Sequence, residues 1–162
     1  MEGTHTVVSI RGPTSIADLA EIRTLFNEYA ASLGVDFGFQ DFESELSGLP
    51  GAYVAPDGRL LLAISSDRAV GCVAVRKLEP GFCEMKRLYV RAEGRGRGAG
   101  RMLAEAAIRF ARDAGYCAMR LDTLPGMRAA QSLYREIGFR VIAAYRFNPV
   151  AGSSFMELDL VE

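Results

Sequence analysis

Glycines alternate with arginines in RGRGAGR, Arg95 to Arg101, where an apolar segment ending at Val90 passes into a helix-like pattern. A helix start leaves backbone N–H groups without partners and carries the positive end of the helix dipole, so phosphate binds there naturally. Gly96, Gly98 and Gly100 let the backbone close on such a group. Arg95, Arg97 and Arg101 supply charge to neutralise it. The run is suited to holding a pyrophosphate.

Other readings compete for the same residues. A nucleoside triphosphate loop ends in Gly-Lys-Ser/Thr, whereas Gly100 is followed by Arg101 and Met102. A dinucleotide fingerprint fits better: Gly94, Gly96 and Ala99 match G-x-G-x-x-A, with Asp122 placed as a ribose-binding acid. That fold would leave only about 40 residues for the rest of its sheet, and the segments before the loop read as hairpins. An arginine-rich turn for RNA and a plain surface loop complete the alternatives.

The elements that must position the run follow from periodicity. Thr6 to Arg11 reads as a strand. Ser15 and Asp18 then stand in capping-box spacing before Ile16, Leu19, Ile22, Phe26, Tyr29 and Leu33, which recur at helical intervals. A short helix is predicted from about Asp41 to Leu46, closed by Gly48 and Pro50. Three extended runs between Ala55 and Val90, parted by short polar turns, imply antiparallel neighbours. After the loop, Met102, Leu103, Ala106, Ala107, Phe110 and Ala114 mark a helix face that Gly115 terminates. Cys117 to Leu124 is a strand, Met127 to Phe139 a helix ended by Gly138, and Arg140–Phe147 and Ser153–Leu160 are final strands. The order is βααβββαβαββ, a mixed α/β chain with an antiparallel middle sheet.

The chain of 162 residues suits one domain, 1–162. Its net charge of −1 argues against a general nucleic-acid binder, whose basicity would extend over the whole domain. MEGTHTVVSIRG holds no apolar run of signal-peptide length, and no stretch approaches a membrane span, so a cytoplasmic protein without a membrane partner is expected. Cys72, Cys83 and Cys117 lie far apart and read as reduced core residues. With His5 as the single histidine, a His-rich metal site or a histidine triad has almost no material, and no metal is expected.

The loop, with the strand before it and the helix after it, resembles the signature of the GCN5-related N-acetyltransferase (GNAT) superfamily, Arg/Gln-x-x-G-x-G/A, matched by Arg95 to Gly100. A second family pattern, A-x-x-x-Y-x-x-x-G-F, is matched by Ala130, Tyr134, Gly138 and Phe139, and the element order agrees over nearly the whole chain. The resemblance implies a mostly antiparallel sheet of about six to seven strands, helices on both faces, and a strand splayed open at the cofactor site. It implies acetyl-coenzyme A as cosubstrate, with pyrophosphate held by Arg95, Gly96, Arg97, Gly98, Ala99, Gly100 and Arg101. The pantetheine arm would meet the backbone of Leu88, Tyr89 and Val90, since an opened strand edge can receive its amides. It further implies the Leu88 N–H as oxyanion donor and Tyr134 as general acid.

Glu84 is the candidate general base, because the histone acetyltransferase branch carries its catalytic glutamate at this offset from the loop. Strand alternation places it on one face with Lys86 and Leu88, so a structural pairing with Lys86 is the competing role. Met127 stands where many members have an asparagine. The resemblance puts acceptor choice in the early helices and last strands. There Asp36, Glu43 and Glu45 are candidates to attract a cationic amine, and Tyr29, Phe37, Phe39 and Phe147 to wall a pocket. The expected partner is a small-molecule, amino-acid or peptide amine. A homodimer is common in the family. A non-catalytic acyl-coenzyme A sensor or scaffold is the alternative function.

Overall fold

The computed structural model describes residues 7–34 and 41–161. Its strands are β1 Ser9–Arg11, β2 Arg59–Ser65, β3 Arg68–Glu79, β4 Phe82–Val90, β5 Ala118–Thr123, β6 Arg140–Ile142 and β7 Ser154–Asp159. Its α-helices are α1 Ile16–Leu33, α2 Phe42–Ser47, α3 Ala99–Asp113 and α4 Arg128–Ile137. The predicted order βααβββαβαββ holds.

Seven strands form one sheet in the order β1-β2-β3-β4-β5-β7-β6. Neighbours are antiparallel except β4 and β5, which the α3 crossover makes parallel. Helices α3 and α4 pack on one face, against Val73, Val75, Met119, Leu121 and Met156. On the other face α1 and α2 pack against Leu60, Leu62, Cys72 and Ala74. The alternating apolar pattern of β3 feeds both cores, since successive strand residues point to opposite faces.

Helix α1 begins as its sequence predicts. Ser15 Oγ accepts from the Asp18 N–H at 3.1 Å, satisfying one of the free N–H groups of the first turn. Asp18 in turn accepts from Thr14 N at 2.8 Å and Arg11 Nη1 at 2.7 Å, which ties the helix start to β1. Ile16, the first residue of α1, departs from the expected buried stripe and is 87% exposed. In α3 the fully buried stripe is Leu103, Ala104, Ala107 and Ala111, turned from the predicted one. Met102, Ala106 and Phe110 are only partly buried, since the small alanines let the helix axis approach the sheet.

Two further expectations change. Cys72 and Cys83 are buried as expected, but Cys117 is exposed: its backbone joins Gly81 and Leu160 at the strand margin while its side chain faces outward. The strand predicted over Arg140–Phe147 ends at Ile142. As an edge strand it pairs with β7 alone, and Tyr145 and Arg146 beyond it turn to partners on β4 and β5. Among the described residues no helix is long and apolar enough to cross a membrane.

Candidate active site

Strands β4 and β5 pair only from Phe82–Glu84 to Ala118–Arg120. Beyond that point β4 continues along β3, and β5 continues along β7, so the two diverge. A bulge accompanies the divergence. Cys72 pairs with Tyr89 and Ala74 with Lys86, leaving Val73 opposite two residues of β4, and Arg87 takes a φ of 61°. The bulge reverses the alternation. Leu88 therefore packs toward α3 and α4, not on the face shared by Glu84 and Lys86 as simple alternation predicts.

The gap opens into a cleft of about 570 Å³, lined by Leu88, Tyr89 and Val90 on one side and Ala130 and Leu133 of α4 on the other. Its mouth is the glycine loop. Gly98 caps α3 with a φ of 78°, and no side chain caps the first turn, so that turn's N–H groups face an open site. Gly94 serves packing: a Cβ there would stand 2.8 Å from the Val70 Cβ, which explains its presence without a dinucleotide.

The structure separates the arginines. Arg95 lines the cleft with Gly96, Gly98, Ala99 and Gly100. Arg97 donates to Ser65 Oγ at 3.1 Å, and Arg101 pairs with Glu105 and Glu136. Neither lines the cleft. The cradle is therefore mostly backbone, with Arg95 beside it and Arg128 of α4 as the other charged residue of the cleft lining.

At the inner end, Tyr29, Leu88 and Met127 line both the cleft and a smaller cavity of about 20 Å³. Tyr134, only 4% exposed, reaches this cavity, its ring packed on Phe139 at a centroid distance of 5.5 Å. Burial pushes its hydroxyl pKa well above the ordinary tyrosine value, and the Tyr29 and Asp122 charges add to the effect. The phenol stays protonated at neutral pH. Burial likewise pushes Tyr29 up to about 12. Lys86, Arg87, Asp122 and Asn148 complete the polar lining. Burial is the first cause that lowers Lys86 to about 7, assisted by Arg87 and opposed by Glu84.

Glu84 is fully buried at the last paired position of β4 and lines neither cavity. Its Oε1 accepts from Arg76 Nε at 2.9 Å and Arg146 Nη1 at 3.2 Å, and its Oε2 from the Tyr145 hydroxyl at 2.6 Å. Lys86 Nζ stands 4.0 Å from Oε1. Arg146 also donates to Asp122 Oδ1 at 3.0 Å, and Asn148 Nδ2 donates to Asp122 Oδ2 at 3.1 Å. The segment joining β6 to β7 is thus fastened to both diverging strands.

Of the predicted acceptor residues, Tyr29 lines the site. Glu45 is instead held by Arg87, whose Nε donates at 3.0 Å, and by the Tyr53 hydroxyl. Glu43 is exposed and Phe147 is 79% exposed, so neither walls the cavity. Asp36, Phe37, Phe39 and His5 lie outside the described residues. The sequence reading put acceptor choice partly in the segment that holds Arg146 and Asn148, with a loop from Phe147 to Phe155 that closes over the acceptor or serves only as a connection, but it did not foresee Lys86 or Asp122 at the acceptor end. The signal available for Asp122 was its parity with Arg120 on β5. Nothing local marked the contacts that Lys86, Arg146 and Asn148 make there.

A family model described as Acetyltransferase (GNAT) family matches residues 19–139. An uncharacterized N-acetyltransferase of Schizosaccharomyces pombe is 37% identical over 155 residues, covering 94% of this chain and 95% of that protein. A GNAT-family acetyltransferase from Staphylococcus aureus Mu50 superposes with a TM-score of 0.80 at 19% identity, covering 96% of this chain and 100% of that one. An acetyltransferase from Salmonella typhimurium, solved with its cofactor acetyl-CoA, superposes with a TM-score of 0.69 at 23% identity, covering 96% and 95%. The chain belongs to the acetyltransferase (GNAT) family and is an N-acetyltransferase.

Proposed function

We propose that the protein transfers an acetyl group from acetyl-coenzyme A to an amine by direct attack. The observation that carries this reading is the cleft running from the uncapped α3 start along the opened edge of β4, which shares Tyr29, Leu88 and Met127 with the cavity that Tyr134 lines. The residues fit the cosubstrate: positive-φ glycines at a helix start suit a pyrophosphate, and a strand edge without a ladder partner suits the amides of pantetheine. Bound there, acetyl-coenzyme A supplies an activated thioester.

Arg95 and the first-turn N–H groups of α3 hold the phosphates, and the backbone of Leu88 to Val90 orients the arm. The Leu88 N–H donates to the thioester oxygen as negative charge gathers on it. The Tyr134 hydroxyl donates its proton to the leaving sulfur. The balance is one ammonium and one thioester giving one amide, one thiol and one proton. Glu84 acts as a strut: both its oxygens are engaged by Arg76, Arg146 and Tyr145, and its part is to hold Arg146 over the split.

Calorimetric titration with acetyl-coenzyme A, followed by thiol release against a panel of amines and peptides, tests the reading. Binding with release for one acceptor class is the expected result. Binding with no release from any amine would favour an acyl-coenzyme A sensor. No binding would overturn the cradle.

A further inference from the structure

Strands β4 and β5 are parallel, so the segments that follow them leave the sheet at the same edge. The glycine loop follows β4 and carries Arg95 to one side of the cleft. Leu124 to Met127 follow β5 and bring Arg128, the first residue of α4, to the other side. Helix α4 lies beside the first turn of α3, since Leu133 packs next to Gly100 and Arg101 pairs with Glu136. Two helix starts thus flank one opening.

The charge on that opening has one sign. Arg95 and Arg128 both line the cleft from exposed positions, and among the described residues no Asp or Glu lines it. The neighbouring arginines have protein partners: Arg91 is held by Glu21 and Glu28, Arg101 by Glu105 and Glu136, and Arg97 by Ser65. Arg95 donates to the Val90 carbonyl at 3.2 Å, which fixes it at the end of β4. Among the described residues Arg128 enters no hydrogen bond or ion pair. Its place does not serve α4 either. A cation on the first residue of a helix is opposed by the helix dipole, and the first turn holds no acidic residue to offset it. The positions three and four residues on are Gln131 and Ser132, which carry no charge.

Coenzyme A has more phosphate than the glycine loop takes. The loop and Arg95 suit the pyrophosphate, and a further phosphate stands on the 3′ oxygen of the adjoining ribose. A guanidinium on the opposite rim matches the charge and the paired oxygens of that group. We propose that Arg128 receives the 3′-phosphate of acetyl-coenzyme A, so that the start of α4 selects coenzyme A over its 3′-dephospho form. This rests on the cosubstrate reading above.

Calorimetric titration of the full chain with coenzyme A and with 3′-dephospho-coenzyme A tests it. The parent is expected to bind coenzyme A about tenfold more tightly, the value of a charge-assisted contact at a solvent-exposed rim. Arg128→Gln loses that preference by weakening coenzyme A alone, and Arg128→Lys keeps part of it. Arg135→Gln removes a charge from the exposed last turn of α4, outside the cleft, and leaves the preference intact. Circular dichroism shows that each variant is folded. Equal affinity of the parent for both forms, or a preference that survives in Arg128→Gln, overturns the proposal and leaves the cradle standing. So does an equal loss of both forms in Arg128→Gln, which would put Arg128 at the pyrophosphate. A preference lost equally in Arg135→Gln would make the effect one of net charge and likewise overturn it. No binding of either form to the parent overturns the cradle and this proposal together.

Discussion

Arg146 Nη2 lies 3.0 Å from Asp122 Oδ1, while the same guanidinium donates to Glu84. One side chain from the β6–β7 connection thus joins β4 to β5 just past the point where their ladder ends. The strands diverge because they lose their mutual backbone bonds, and the Glu84–Arg146–Asp122 chain limits how far they part. Tyr145 packs on Phe155 at 5.1 Å and bonds Glu84, which fixes the same segment to β7.

Glu84→Ala is expected to cost stability first. It strands Arg76 and Arg146 around a vacated buried site, a loss of about 3–5 kcal/mol for a fully buried pair. Partial exposure of both arginines places this chain toward the lower end. Thermal unfolding of Glu84→Ala and Glu84→Gln reads it, with roughly 2–4 °C of midpoint per kcal/mol at this size. Full stability with abolished turnover in Glu84→Gln would instead make Glu84 the base.

Tyr134→Phe should lower kcat about tenfold to a thousandfold with little change in acetyl-coenzyme A affinity, because it removes a proton donor and keeps the ring. Packing against Phe139 is preserved, so the midpoint of unfolding should move little. Unchanged turnover would remove the general-acid role.

Gly98→Asp should weaken acetyl-coenzyme A binding by at least about tenfold. A side chain at φ 78° is strained, and a carboxylate at the helix start repels a pyrophosphate. Calorimetry on Gly98→Asp and Gly98→Ala separates the two causes, since alanine adds strain without charge. Equal affinity in parent and aspartate variant would place the phosphates elsewhere.

The pH dependence of stability should carry the mark of Lys86. Its folded pKa, lowered from 10.5 to about 7, lies below the unfolded value. Between these limits the unfolded chain binds more protons, so the Lys86 contribution becomes more favourable as pH rises from about 7 toward 10.5. Below about 7 its full penalty, on the order of a few kcal/mol, is present. Among the described residues, the groups around it include Glu84 and Arg87 of β4, Arg76 of β3, Asp122 of β5, Tyr29 of α1, Tyr134 of α4 and Arg146. Lys86→Met should therefore gain stability over the parent at pH 6, and the gain should vanish by about pH 10. Denaturant unfolding at several pH values measures the difference. A constant difference across that range would mean that Lys86 titrates normally.

Residue spacing alone determined the helices, most strand positions and the glycine loop, because these depend on neighbours within a few residues. Ser15 with Asp18 announces α1, and Gly98 before an alanine-rich pattern announces α3. The motif around Tyr134 marks the right helix face for the same reason. Only the tertiary structure decided the bulge at Arg87 that turns Leu88 to the other face, since a bulge is a mismatch between two strands and leaves no local pattern. It also decided that Glu45 goes to Arg87, that Glu84 goes to Arg146, and that Asp122 comes opposite Lys86. Those pairings join residues tens of positions apart, and charge pairing across a fold is set by which strands become neighbours.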